Sequence, residues 1–172
     1  IREGNSDDIR ECIGCNICIA SWHDGVPVRC TQNATAGEEW RRGWHPERFT
    51  RAPEPGNVLV VGGGPGGLEA ALVAAKQGFK VTIAEQTDDW GGRVLKESQL
   101  PGMATWRRVR DYRVWALSQM GNVSMYTNSE LDAEAALSFG ADHIAVATGA
   151  RWTKRLYSAL EIPAEPLDLP QI

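Results

Sequence analysis

Cys12, Cys15 and Cys18 follow a C-x-x-C-x-x-C spacing, and Cys30 comes after eleven intervening residues. Three cysteines at spacing three let one short loop present several thiolates to a single small inorganic centre, Gly14 gives that loop freedom to bend, and a remote fourth cysteine closes the site. The pattern differs from the paired C-x-x-C motifs of a zinc ribbon and fits iron–sulfur ligation. Structural zinc, and behind it disulfides or free thiols, are the alternatives. A closed four-cysteine site has no open coordination position, so its chemistry would be one-electron transfer. All four sulfurs are expected within reach of one cluster.

A second set of residues lies downstream. Gly62-Gly63-Gly64-Pro65-Gly66-Gly67 satisfies G-x-G-x-x-G. The apolar run Asn57-Val58-Leu59-Val60-Val61 precedes it, a helical pattern follows it, and Glu85 closes the next apolar run 18 residues past Gly67. Strand, glycine loop, helix and acid in this order make a dinucleotide fingerprint. Gly62 permits the tight turn, Gly64 lets the backbone approach a phosphate, and Gly67 lets helix and sheet pack closely. Pro65 suits the first helical position, where a missing N–H costs nothing. Glu85 can accept from ribose hydroxyls and would repel a 2′-phosphate. The helix N-terminus adds a partial positive charge.

The elements that must hold these residues can be read in outline. Residues 66–77 predict a helix with Leu68, Ala71, Leu72 and Ala75 on one face and Gly78 as its stop. Lys80-Val81-Thr82-Ile83-Ala84 predicts a second strand. A helix is expected over 104–120, with Trp106, Val109, Tyr112, Ala116 and Met120 at helical spacing. Strands are expected at 123–127 and 143–147, with a short helix near 132–139. Strands alternating with helices predict an α/β fold, a Rossmann-like nucleotide-binding domain with a parallel sheet. Ahead of it stands an irregular cysteine-rich segment. Arg51-Ala52-Pro53-Glu54-Pro55-Gly56 reads as the hinge between them. The domains expected are therefore 1–52, an iron–sulfur segment, and 53–172, a nucleotide-binding domain incomplete at its C-terminus.

Composition sets the outer limits. The chain has 172 residues, 42% of them hydrophobic, enough for a packed core. Its net charge of −4 gives no general attraction to nucleic acid or an anionic membrane. No stretch approaches the roughly 18–20 uncharged apolar residues that span a bilayer, no signal-peptide pattern is present, and a cytoplasmic location is expected. Both ends read as cuts within a longer polypeptide. Arg107, Arg108, Arg110 and Arg113 are expected on the solvated face of their helix; docking of an acidic electron acceptor is the other reading. Trp22, Trp40 and Trp44 are expected to pack near the cysteines and exclude water. His23, His45 and His143 are isolated and read as surface or packing residues. No Ser/His/Asp or paired-carboxylate constellation stands out, so no catalytic residue is assigned.

Taken together, the residues resemble a family. The run from Cys12-Ile13-Gly14-Cys15-Asn16-Ile17-Cys18 through Cys30-Thr31-Gln32-Asn33-Ala34, then Glu38-Glu39-Trp40-Arg41-Arg42-Gly43-Trp44-His45-Pro46-Glu47-Arg48-Phe49, is similar to the trimethylamine, dimethylamine and histamine dehydrogenases. The similarity continues through the glycine loop, Gly91-Gly92, Leu100-Pro101-Gly102, Arg110-Asp111-Tyr112-Arg113 and Ala147-Thr148-Gly149-Ala150-Arg151-Trp152. It covers about residues 8–152. The resemblance implies a large flavoprotein: an FMN-bearing barrel, a 4Fe–4S segment, then nucleotide-binding domains. On that basis Cys12, Cys15, Cys18 and Cys30 are the expected cluster ligands. ADP or FAD is expected at Gly62, Gly64, Pro65, Gly66, Gly67, Glu85, Gly92, Arg93, Ala147, Thr148 and Gly149. The implied activity is oxidoreduction of amine-dehydrogenase type, from a small-molecule substrate through FMN and 4Fe–4S to an acceptor. An electron-transfer flavoprotein is the partner the resemblance suggests, and a homo-oligomer is left open. The related NAD(P)H-dependent 2,4-dienoyl-CoA reductases carry an extra residue between their second and third cysteines, so the even spacing here favours the amine branch. A non-redox nucleotide-binding module with structural zinc is the remaining alternative.

Overall fold

A computed structural model describes residues 4, 6–42 and 48–150. Trp44, His45 and the stretch 151–172, including Arg151 and Trp152, lie outside the described residues. A 3-10 turn over Ser6–Asp8 is followed by helix α1 (Ile17–His23) and helix α2 (Glu39–Arg42). Then come strand β1 (Asn57–Val61), helix α3 (Pro65–Lys76), strand β2 (Lys80–Ala84) and helix α4 (Arg93–Glu97). A 3-10 turn at Ala104–Arg107 leads into helix α5 (Arg108–Ser118), strand β3 (Val123–Tyr126), helix α6 (Ala133–Ser138) and strand β4 (His143–Val146).

The four strands form one parallel sheet in the order β3-β2-β1-β4. Val58 pairs with Val81 on one side and with His143 on the other. β1 and β2 are the two interior strands by this order, and the residues of β1 alternate between two covered faces. Val58 and Val60 join Val81 and Ile83 under α3 and α5, packed on Leu68, Ala71, Leu72, Ala75, Ala116 and Leu117. Leu59 and Val61 face the other way, onto Ala136 of α6, with Leu131, Ala141 and Ile144 around them. Cover on both faces is why β1 reads as a continuous apolar run. Leu59, Leu68, Leu72, Ile83 and Leu117 are essentially inaccessible, and each such side chain stabilises the fold by about 1.5–3 kcal/mol.

Helix α3 forms where the sequence places it. Gly64 is its N-cap, Pro65 occupies the first turn, and Leu68, Ala71, Leu72 and Ala75 make its buried stripe. It ends on Gly78, whose φ of +96° takes the chain out of the helix while its amide donates to the Ala75 carbonyl. Asn122, just before β3, donates to the Ala75 and Phe79 carbonyls at 2.9 and 2.8 Å, satisfying acceptors at this helix exit.

The helix expected over 104–120 is shorter than its apolar spacing indicated. Its first four residues wind as a 3-10 turn, and Met120 lies beyond the helix end. The arginine-rich face is also not uniformly solvated. Arg113 is 3% exposed, because positions 109, 113, 116 and 117 share the core stripe of α5. Arg110 is largely covered and is bonded to Asp89, Asp111 and the Trp90 carbonyl. Only Arg107 and Arg108 keep substantial exposure, and Arg108 pairs with Glu11 at 2.9 Å. No helix among the described residues is long and apolar enough to cross a membrane.

Candidate functional site

The glycine loop begins where β1 ends. Gly62 adopts φ +109°, and its amide donates to the Ala84 carbonyl at 2.8 Å, tying the turn to the end of β2. A Cβ at Gly62 would run into the Ala147 carbonyl and reach within 3.1 Å of the Thr148 nitrogen. A Cβ at Gly67 would overlap the Gly62 carbonyl oxygen and stand 3.2 Å from the Ala147 Cβ. Both glycines are therefore fixed by close backbone approach between the loop, α3 and the end of β4. Gly64 is different: nothing lies within 4 Å of where its Cβ would be, and its backbone is extended, with φ −71° and ψ 177°. That open space lies at the N-terminus of a 12-residue helix, where free N–H groups favour an anion.

A second loop closes the side of the first. The Gly91 amide donates to the Gly63 carbonyl at 2.8 Å. Gly92, at φ +52°, sits so that its Cβ would be 3.3 Å from the Gly64 Cα. The Trp90 ring covers Gly63. Arg110 on α5 holds this loop by bonding to Asp89 and to the Trp90 carbonyl. Burial pushes the Asp89 carboxyl up, but the Arg110 hydrogen bond, the Trp90 amide and the charges of Arg110 and Arg107 outweigh it and hold it below the ordinary Asp value.

Glu85, at the end of β2, is 6% exposed. One carboxylate oxygen accepts from the Gly63 amide at 2.6 Å, and the other accepts from the Thr87 amide and hydroxyl, each at 2.9 Å. A carboxylate has about four lone-pair sites, so three bonds leave capacity for one more donor. Gly62, Gly64, Gly67, Gly92, Glu85 and Ala147 thus come together around one opening at the carboxyl ends of the strands, beside the point where the sheet order reverses between β1 and β4. This is where open α/β sheets bind ligands. Pro65 begins α3, Gly66 follows it exposed, and Thr148 and Gly149 are exposed just past β4. Arg93 starts α4 and pairs with Glu97 at 2.6 Å. A surface cavity of about 340 Å³, lined by Ile9, Glu11, Arg108, Tyr112 and Trp115 among others, shares none of these residues.

The cysteine loop packs against the same scaffold. Gly14 and Asn16, at φ +70° and +56°, turn the chain between Cys12 and α1, and the Gly14 amide donates to the Cys12 sulfur at 3.3 Å. Ile13 is buried with Val94 of α4 and Val109 of α5, with Cys15 and Trp106 against them. The Ile13 carbonyl accepts from Thr105 at 3.0 Å, and the Cys12 carbonyl from Arg108 at 3.2 Å. Cys15 lies 3.2 Å from the Thr31 hydroxyl, which brings the loop beside the residue following Cys30. Burial pushes the Cys15 thiol up, but the Thr31 hydroxyl and the backbone amides of Ile17, Thr31 and Cys15 outweigh it, leaving the thiol more acidic than usual.

The expected convergence of all four sulfurs is not what the structure shows. All four cysteines are free thiols; Cys12, Cys18 and Cys30 are exposed. Among the described residues no group of three or more His, Cys, Asp or Glu side chains stands in metal-holding geometry. Thiols are weak hydrogen-bonding groups and do not fix one another's side chains. Backbone placement and donor chemistry nonetheless suit an iron–sulfur centre: four free thiols, Cys12 and Cys15 on one tight loop, Cys18 in the first turn of α1 that follows it, and Cys30 on the segment packed beside them. Two of the three tryptophans expected to shield this site do not: Trp22 is 68% and Trp40 79% exposed, and Trp44 lies outside the described residues. Two residues take a place the sequence did not assign them. Arg113, expected on a solvated face, and Gln32, given no role of its own, are both buried and bonded to each other across the junction, and only the position of Arg113 on the core stripe of α5 hinted at it.

Comparison with known proteins agrees with this geometry. The profile of the family described as FAD dependent oxidoreductase matches residues 57–149. Dimethylamine dehydrogenase from Hyphomicrobium sp. (strain x) is 43% identical over 89% of this chain and 22% of its own length. The structure of histamine dehydrogenase from Rhizobium sp. 4-9 superposes with a TM-score of 0.85 at 52% identity, over 88% of this chain and 22% of that one. That of 6-hydroxypseudooxynicotine amine oxidase from Pseudomonas geniculata N1 gives 0.89 at 48% identity, over 98% and 26%. The chain therefore spans about a quarter or less of the length of these relatives, and the resemblance to the amine dehydrogenases is matched along most of it. By the match over its β1–β4 fold, the chain belongs to the FAD dependent oxidoreductase family.

Proposed function

We propose that this chain is the electron-transfer portion of an iron–sulfur flavoprotein oxidoreductase of the amine-dehydrogenase type, with residues 1–52 forming the cluster segment and 53–172 the nucleotide-binding domain. The observation that carries the proposal is the docking of the cysteine loop, through Ile13, onto α4 and α5 of the sheet domain that bears the glycine loop. Cluster-type ligands and a phosphate-type cradle thus belong to one packed unit. The relatives named for amines point to an amine as the small-molecule substrate of the longer protein.

Cys12, Cys15, Cys18 and Cys30 would hold a 4Fe–4S cluster, which when bound passes single electrons between an FMN elsewhere in the longer protein and an external acceptor. An electron-transfer flavoprotein is the acceptor class proposed, in a cytoplasmic enzyme. The Thr31 hydroxyl and nearby amides favour the Cys15 thiolate, the form that ligates metal. The open backbone at Gly64 and the amides opening α3 would receive the pyrophosphate of ADP or FAD. Glu85 would bond one ribose hydroxyl while holding the Gly63 turn in place, and a 2′-phosphate would meet its buried negative charge.

The test is made on the full-length protein. Iron, acid-labile sulfide and zinc are assayed, the visible spectrum is recorded, and the released nucleotide is identified by mass. Iron with sulfide and a broad band at about 400 nm are expected, together with ADP or FAD and reduction of a dye acceptor by a methylated or primary amine. About one zinc per chain with no sulfide would establish the non-redox alternative instead.

A further inference from the structure

Gln32 is 2% exposed, and neither the cysteine ligands nor the glycine loop uses its side chain directly. Every polar group of that side chain is nevertheless engaged. Its amide nitrogen donates to the Glu11 carbonyl at 3.0 Å, next to Cys12. Its side-chain oxygen accepts from Arg113 at 3.0 Å. Its backbone carbonyl accepts from Arg10 at 2.7 Å and again from Arg113 at 3.1 Å. Arg113 also donates to the Val109 carbonyl at 2.8 Å and pairs with Glu69 of α3 at 2.6 Å.

We propose that Gln32, held from behind by Arg113, is a positioning residue: it binds the chain entering Cys12 to the chain leaving Cys30 and anchors both to α3, the helix that starts at the glycine loop. The residue type follows from the two sides it must serve. One end of its amide must accept from a guanidinium and the other must donate to a carbonyl. Glu has no donor, Leu has neither group, and Asn is a methylene too short to span the same gap. The network also fixes which way the amide points, since the reverse would set N–H against N–H and oxygen against oxygen. Arg113 cannot be relaxed into solvent, because its charge is buried against Glu69. Groups that orient a metal's ligands from one layer out typically change metal affinity by about 10–100-fold when lost.

The proposal rests on the cysteines being the cluster ligands, and the experiment separates the two claims. Full-length wild type and Gln32→Glu are compared by iron release to a chelator, by the electron paramagnetic resonance spectrum of the reduced protein, and by amide exchange over residues 9–18 after iron removal. Gln32→Glu keeps the acceptor for Arg113 but sets an oxygen against the Glu11 carbonyl. It should release iron about tenfold faster or more, alter the resonance line shape and raise exchange over 9–18, while ADP affinity stays within about twofold. Gln32→Met, of matched length, carries the same expectation where the added charge prevents folding. A folded variant with wild-type iron release and wild-type exchange overturns the proposal. Wild type without iron would defeat the cluster reading, and exchange over 9–18 alone would then decide the role of Gln32.

Discussion

The Glu85 carboxylate accepts the Gly63 backbone amide at 2.6 Å from the far side of the β1–β2 pair. The residue proposed to bond the ribose is therefore also a strut of the glycine turn. Glu85→Ala should lose both roles. ADP or FAD affinity should fall by roughly ten- to a hundredfold, the equivalent of about 1.5–3 kcal/mol for a charged hydrogen bond. Stability should fall by about 1–3 kcal/mol, because the Gly63 and Thr87 amides lose their acceptor. Calorimetric titration and urea denaturation of the full-length protein measure the two losses. An unchanged affinity would remove Glu85 from the nucleotide site.

Gly64 and Gly67 should separate binding from folding. A Cβ at Gly67 meets the Gly62 carbonyl on one side and the Ala147 methyl on the other, so Gly67→Ala should cost about 1–3 kcal/mol or more in stability. Gly64→Ala meets nothing and keeps an ordinary backbone conformation, so its unfolding midpoint should stay near wild type. Nucleotide affinity should fall at least about tenfold for Gly64→Val, whose side chain fills the open space. Equal affinities for Gly64→Val and wild type would locate the phosphate elsewhere.

Asp89 should contribute a pH-dependent increment. Its folded pKa lies below the ordinary value, so the stabilisation is fully present above the unfolded pKa of about 3.9 and disappears as pH falls through the lower folded value. Its side chain is 42% exposed, so screening limits the contribution to about 0.2–1 kcal/mol. Asp89→Asn should lower stability at neutral pH by that amount, with the difference shrinking on acidification below about pH 4 and in high salt. Urea midpoints against pH and salt give the result; a difference that grows on acidification contradicts the assignment.

Asn122 offers a test of the scaffold alone. Its side-chain nitrogen serves two carbonyls at the exit of α3. Asn122→Ala should destabilise the protein by about 1–3 kcal/mol through the two hydrogen bonds it removes, chiefly that to the Phe79 carbonyl, since the Ala75 carbonyl keeps the Gly78 amide. Nucleotide affinity, measured in excess of the folded fraction, should stay unchanged.

What could be read from the sequence tracked the range of the interactions. β1, the glycine loop, α3 and β2 were legible because their signals are local: apolar runs, helical spacing, and glycines whose missing side chains serve neighbours in the same unit. The parallel sheet followed from that alternation. The cysteine segment was less legible. α1 exposes Ile17, Ile19 and Trp22 and buries only Ser21, so its composition misrepresents its packing. α4 is five residues long and has little room for a periodic signal. Arg113 was misread because charge outweighed position, although it falls on the same stripe as Val109, Ala116 and Leu117. Gln32 had no local signal, since its partner Arg113 lies 81 residues away.

That distance dependence applies to the cradle as well. Ala147 reaches Gly62 and Gly67 only where β4 has paired with β1, with Val61 opposite Val146. A growing chain that has emerged only as far as α6 already contains every residue of the fingerprint from Gly62 to Glu85, yet one wall of the cradle is still to be laid down. Motif and finished cradle are thus separated in the order of synthesis, and the proposed nucleotide site is complete only after the last described strand has closed on the first.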